Sequence, residues 1–427
     1  MKPSACIQAS IEILETIEKS KIPMDSTIGD YMRARRYIGS KDRAAIAERV
    51  YDVVRHYARL FWWMKKTGAG DAPRDFVIAQ LALLENVQLF RMKDLFSGEK
   101  FSPAPLNDRE IQFIEAVQGQ SLVHPDMPES VQLECPPEYE DILRGYFGAD
   151  FADEMRAMLE PALLDLRANL FLCTRDKLRE SLRADKIDTT NTPYSPWGLR
   201  VKGKVFLSKS KAFHKGWVDI QDEGSQLIAH ICNAQPGQQV LDYCAGGGGK
   251  TLALAAAMNR KGRIVAMDTE ERRLEKGRAR FKKAKISDII EIRPLSDEKH
   301  RKWLRRQKET FDIVLADVPC TGSGTWRRNP DTRWKVYGPG LEELRAVQIE
   351  ILDKIAPCVK KGGRLVYATC SIFPAENEDQ VAAFLQRHTD FIVLPPDDKR
   401  LGRPYMRLTP HRHGTDGFFA AILAKKL

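Results

Sequence analysis

Cysteine is sparse in this chain, eight in 427 residues, and no two of them form a Cys-x-x-Cys pair. That spacing argues against both a disulfide framework and a structural zinc site, so the thiols are expected to be reduced. Long apolar runs are also missing: none approaches the roughly 18 residues that a membrane span needs. The amino-terminal stretch, interrupted by Glu12, Glu15 and Glu18, lacks the continuous apolar centre of a secretory signal. A cytoplasmic protein is expected. Neither an internal repeat nor a low-complexity segment is present.

Acidic residues are outnumbered by basic ones, 58 to 68, for a net charge of +10. The excess points to a polyanionic partner such as nucleic acid, although a solvated basic surface has the same composition. A hydrophobic content of 43% and a charged content of 30% describe a soluble globular chain. Its length predicts two or three domains.

Residues 5–95 carry helical periodicity in Ile7, Ile11, Leu14 and Ile17, then Ile46, Val50, Val53, Tyr57 and Leu60, then Ile78, Leu81, Leu84 and Val87. The Phe61-Trp62-Trp63 cluster reads as core rather than as a base-stacking platform. Six prolines between 97 and 137 break any long helix, which predicts a first domain over 1–135. A small α+β subdomain is expected over 136–215, with strands at 167–172, 199–201 and 205–207. From 216 to 427 the rhythm alternates strand and helix, predicting a parallel sheet covered on both faces. Its strands are expected at 239–243, 263–268, 289–293, 311–317, 364–369, 391–394 and 417–423, with helices at 250–258, 270–285, 341–356 and 375–387.

The first of these strands runs into Leu241-Asp242-Tyr243-Cys244-Ala245-Gly246-Gly247-Gly248-Gly249-Lys250-Thr251. Glycines permit a sharp turn and close approach to a ligand, and the following helix offers unpaired N–H groups. A phosphate loop is excluded, because Cys244 stands where its first glycine must be. Asp268 ends the second strand, near the roughly 20-residue offset at which an acid captures ribose hydroxyls. A nucleoside ligand is therefore expected, and a generic cofactor such as NAD satisfies the turn as well, so the two cysteine segments have to decide.

Two cysteines end later strands, in Asp317-Val318-Pro319-Cys320 and Tyr367-Ala368-Thr369-Cys370-Ser371. The carboxyl ends of parallel strands line one crevice. A thiolate there can add to C6 of a pyrimidine and turn the unreactive C5 into an enamine carbon, splitting one hard step into two. S-adenosyl-L-methionine is then the expected methyl donor, and Asp317 is placed to hold the N3 and amino edge of a cytosine.

Asp317-Val318-Pro319-Cys320-Thr321-Gly322-Ser323-Gly324, Arg327-Arg328-Asn329-Pro330-Asp331, Thr369-Cys370-Ser371 with Glu376-Asn377-Glu378, Asp416-Gly417-Phe418-Phe419 and the glycine turn together resemble the Sun-type (RsmB-like) RNA cytosine-5 methyltransferases of the bacterial ribosomal-RNA kind. The segment around Ile38-Gly39-Ser40-Lys41-Asp42-Arg43 more weakly resembles the NusB-like domain that precedes their catalytic part. The resemblance implies an α/β fold, with a Rossmann-like S-adenosylmethionine-dependent methyltransferase sheet preceded by an all-α NusB-like domain and a small α+β, RNA-binding subdomain. It implies methylation of cytosine C5 in RNA, with ribosomal RNA favoured and transfer RNA the alternative; no membrane, no metal and a monomer are expected.

The resemblance also orders the thiols: Cys370 as nucleophile and Cys320 as the residue assisting release, with Asp317 completing the catalytic set. For the cofactor it implies Cys244, Ala245, Gly246, Gly247, Gly248, Gly249 and Lys250, then Asp268 with Arg273, Asp297 near the adenine, and Asp317. One departure stands out. Relatives usually carry Ala-Pro where this chain has Gly246-Gly247, so its turn should be less rigid. The remaining cysteines read as structural thiols, and His411 and His413 lack further metal ligands. The basic runs 272–285 and 299–306 are either solvated helix faces or RNA contacts.

Overall fold

The computed structural model describes residues 1–203 and 205–427. The chain forms two compact units, one of Met1–Glu160 with Trp326–Gly338, the other of Pro161–Thr325 with Pro339–Leu427. These limits differ from the composition-based ones at 135 and 215: the helices Glu140–Phe147 and Phe151–Ala157 fall in the first unit.

The first unit is helical where the periodicity called for it, including Pro3–Lys19, Ser40–Arg55, Tyr57–Thr67 and Pro73–Leu83. Ile7, Ile11, Leu14, Ile46, Val50, Leu60, Ile78 and Leu81 share one core. Trp63 is buried in it, as expected of a core aromatic, and Trp62 packs against it. Gly68, in the left-handed region with φ of 72°, ends the helix Tyr57–Thr67. The distant segment Trp326–Gly338 is part of this unit: Asp331 accepts from the Met24 N–H at 2.9 Å, and the Trp334 indole donates to the Val54 carbonyl at 3.1 Å.

The second unit holds two sheets. The smaller contains β1 (Asp165–Ala168), β2 (Thr189–Asn191), β3 (Gly198–Val201) and β4 (Val218–Ile220), antiparallel in the order β2-β3-β1-β4. The strand expected over 167–172 stops at Ala168, because Asn169 turns away to donate to the Gly216 and Ala284 carbonyls, both at 3.1 Å. The strand expected at 205–207 does not form; Leu207–Lys209 is a 3-10 turn that leads into Lys211–His214.

The larger sheet contains β5 (Gln239–Asp242), β6 (Arg263–Asp268), β7 (Ile290–Pro294), β8 (Phe311–Asp317), β9 (Val359–Thr369), β10 (Phe391–Leu394), β11 (Met406–Leu408) and β12 (Phe418–Lys425). Its order is β10-β12-β9-β8-β5-β6-β7, with β11 on β12. The five strands β5 to β9 are mutually parallel, as expected, but β10, β11 and β12 pair antiparallel. Alternate residues bury on opposite faces: Ile313 and Leu315 join one core, Val314 and Ala316 the other. Two helices outside the expected set, Glu223–Ile231 and Glu298–Arg305, are also present. Among the described residues no helix is long and apolar enough to cross a membrane.

Candidate active site

From β5 the chain steps to β6 and β7 on one side, then returns to β8 and β9 on the other. The carboxyl ends at that reversal form the crevice where ligands enter open parallel sheets. Along it, in strand order, stand Cys370 after β9, Asp317 and Cys320 at and after β8, the glycine turn after β5, and Asp268 at the end of β6.

The two thiols meet, with the Cys320 and Cys370 sulfurs 3.4 Å apart and both residues partly exposed. The Cys320 thiol is held well above its ordinary range by the hydrogen bond with Cys370, by burial and by the nearby Glu376 carboxylate. On the other side of the pair, Cys370 lies in the field of the Lys250 ammonium. Negative charge is therefore disfavoured on Cys320. Lys250 donates to Asp317 at 2.6 Å; burial acts to lower the ammonium, but Asp317 overrides it and keeps it raised. The Asp317 side chain retains 30% of its exposure and Lys250 only 11%, so the carboxylate is the member of the pair that a ligand can reach.

A dense set of hydrogen bonds holds the two cysteine loops. Glu376, fully buried, accepts from the Thr321 N–H at 2.9 Å, the Thr321 hydroxyl at 2.6 Å and the Gln348 amide at 3.0 Å. The Ser323 and Ser371 hydroxyls lie 3.0 Å apart, and the Asn377 amide donates to the Ser371 carbonyl at 2.9 Å. Gly324 donates to the Cys370 carbonyl at 2.9 Å and accepts from the Gly417 N–H at 2.7 Å. A Cβ on Gly324 would stand 2.2 Å from the Gly417 carbonyl oxygen, so backbone meets backbone here and neither position has room for a side chain. No role was assigned to Glu376 or Gln348 from sequence. The signal for Glu376 was an acid in a motif beside an otherwise apolar Ile372-Phe373-Pro374 run.

At the glycine turn, Gly246 and Gly248 take positive φ, 55° and 78°. Asp268 accepts from the Gly246 N–H at 2.7 Å and from the Glu270 N–H at 2.8 Å, and Arg273 lies against Gly246. Cys244 is packed beneath the turn, its thiol raised by burial. Asp242 is fully buried; one oxygen accepts from the Thr251 hydroxyl at 2.6 Å, the other has no partner, and burial pushes the carboxyl up to about 7. Asp297 is the exposed N-cap of Glu298–Arg305, accepting from the Lys299 N–H at 2.8 Å, two residues beyond Leu295, whose N–H donates to the Asp268 carbonyl at 2.8 Å. Among the described residues no three His, Cys, Asp or Glu side chains converge to hold a metal ion.

Residues 229–424 match the family described as 16S rRNA methyltransferase RsmB/F. The chain is 36% identical to a probable ribosomal RNA small subunit methyltransferase B of Synechocystis over 270 residues, 61% of this chain and 60% of that protein. It is 31% identical to the ribosomal RNA small subunit methyltransferase B of Photorhabdus laumondii over 323 residues, 74% of this chain and 70% of that one. The chain thus spans less than two thirds of the Synechocystis protein's length. Among solved structures, PH0851 aligns with a TM-score of 0.79 at 27% identity, covering 100% of this chain and 99% of that one. A methyltransferase homologue from Pyrococcus horikoshii aligns at 0.60 and 26% identity, over 71% of this chain and 100% of its own.

Proposed function

The chain belongs to the 16S rRNA methyltransferase RsmB/F family, and from that premise we propose that it methylates C5 of a cytosine in RNA, ribosomal RNA favoured, through a covalent adduct on Cys370. The observation that carries the reading is the thiol pair at 3.4 Å, with Lys250 acting on Cys370 and Glu376 on Cys320. The Cys370 thiolate adds to C6, and the ring electrons move to C5. Asp317, held by Lys250, grips the N3 and amino edge of an unstacked base. S-adenosyl-L-methionine supplies the methyl group. Loss of the C5 proton then restores the C5–C6 double bond and expels the Cys370 thiolate, with Cys320 assisting release.

The residues present suit a nucleoside cofactor. Asp268 offers a buried carboxylate at the end of β6, and the first turn of the helix Gly249–Ala257 offers N–H groups. In this reading the stretch from Cys244 to Lys250, with Asp268, Arg273, Asp297 and Asp317, holds it, and the part of the expected α+β subdomain that lies in the second unit, 161–215, contacts RNA. Incubation with substrate RNA and S-adenosyl-L-methionine tests the roles: Cys320→Ala should accumulate a protein–RNA adduct, and Cys370→Ala should give neither adduct nor 5-methylcytosine. Full methylation by Cys370→Ala would overturn the assignment.

A further inference from the structure

The glycine turn has four consecutive glycines, and what holds them in shape is a helix face rather than the turn's own stiffness. Each glycine fixed in a fold costs about 0.5 to 1 kcal/mol more backbone entropy than alanine would. The helix Glu271–Lys283 meets the turn through Arg273, Gly277, Arg280 and Phe281, positions that fall on one face. Arg273 occupies the space a Cβ on Gly246 would need, 2.7 Å away, and the Phe281 ring lies 2.4 Å from where a Cβ on Gly248 would stand. Gly277 leaves room for the Phe281 ring, which lies 3.0 Å from where its Cβ would stand, with the Gly247 carbonyl oxygen at 3.5 Å.

Arg280 makes the direct link. One guanidinium nitrogen donates to the Gly247 carbonyl at 2.5 Å and the other to Asp219, at the middle of β4, at 2.5 Å. Asp219 is shared with Arg167 of β1, which donates to it at 3.3 Å and to Gln221 at 2.6 Å. Arg167 is almost fully buried, so the bracket is anchored in the small sheet. Behind it lies a cavity of about 170 Å³ lined by Arg167, Asp219, Leu252, Arg280 and Lys283. The Gly247 carbonyl is therefore held by a charged fork.

We propose that Arg280, braced by Asp219 and Arg167, is a positioning residue that sets the glycine turn for the cofactor, supplying order that two extra glycines remove. The inference rests on the cofactor reading above. It also divides the basic run 272–285, whose residues Arg273 and Arg280 face the turn while Arg278 pairs with Glu275 at the surface. Lysine has a single nitrogen and cannot join Gly247 to Asp219 as a fork does.

Calorimetric titration of the full chain with S-adenosylhomocysteine tests this. Arg280→Ala should raise Kd about tenfold, the loss of a charge-assisted hydrogen bond. Arg280→Lys should fall between, Arg278→Ala should match wild type, and the thermal midpoint without ligand should stay within about two degrees. With RNA as substrate, KM for S-adenosyl-L-methionine should rise while kcat at saturation holds. Binding by Arg280→Ala within about twofold of wild type, alongside normal wild-type binding, would overturn the role of Arg280 alone. If Arg280→Ala does not fold, the same comparison on Arg280→Lys decides. Absence of binding by wild type would overturn the cofactor reading and this inference with it.

Discussion

Replacing Glu376 by alanine should loosen the segment that carries both thiols, and the structure sets the size of the effect. The carboxylate accepts three hydrogen bonds in a fully buried position. Two of the donors have other partners at hand: the Thr321 hydroxyl lies 3.2 Å from Ser323 and 3.3 Å from Ser371, and the Gln348 amide also donates to the Pro319 carbonyl at 3.0 Å. Only the Thr321 N–H is left without an acceptor, at about 1 to 3 kcal/mol. The cavity left by the side chain adds about another 1 kcal/mol, for roughly 2 to 4 in all. Glu376→Gln keeps one oxygen for the Thr321 N–H and turns an amide toward the Thr321 hydroxyl, so it should cost about 1 kcal/mol or less. Urea titration with alkylation of Cys232 and Cys358, both buried in the same unit, reads the difference as a shift in midpoint. An alanine variant within about 0.5 kcal/mol of wild type, or a glutamine variant as damaged as alanine, would refute the reasoning.

Asp242 makes stability depend on pH. Its folded carboxyl stands at about 7 because of burial, against an ordinary value near 3.9, so the folded state retains a proton that the unfolded state has lost. That contribution is complete below pH about 4 and disappears as pH rises through about 7; between pH 5 and 7 wild type should lose about 2 to 3 kcal/mol relative to Asp242→Asn, and parallel urea midpoints for the two would count against it. Gly324→Ala, whose Cβ meets the Gly417 backbone at 2.2 Å, should destabilise by about 1 to 3 kcal/mol and lower the methylation rate, and a stable, fully active variant would contradict the close contact. Hydrogen peroxide should join Cys320 to Cys370: the sulfurs need to close only from 3.4 Å to about 2.05 Å, and the two thiols lose two electrons and two protons as peroxide becomes two waters. Mass spectrometry should show the crosslink, dithiothreitol should restore activity, and separate oxidation of each cysteine without a crosslink would speak against the contact.

Local pattern was sufficient for much of this protein. The 3.6-residue period of Ile7, Ile11 and Leu14, the β-branched strands and the glycine turn each reflect backbone geometry and burial over a few neighbouring residues, and the helices and the parallel strands formed where those patterns lay. The same locality explains what was missed. The antiparallel β12 reads like any buried strand, since its direction is set by the partner β9 and not by its own residues. Asn169 ends β1 through carbonyls of residues 216 and 284, and Asp331 joins the helical unit through Met24, partners that no spacing rule connects.

The site divides in the same way. Sequence by itself determined which residue types stand at the carboxyl ends of the strands: Cys370, Cys320, Asp317, Asp268 and the four glycines. Only the tertiary structure decided that the two thiols touch, that Lys250 stands on the side of Cys370 and Glu376 on that of Cys320, and that Arg280 reaches the turn from a helix once readable as a basic surface. Strand-end position follows from local burial and turn chemistry; which charge faces which thiol follows from the order in which distant strands and helices pack.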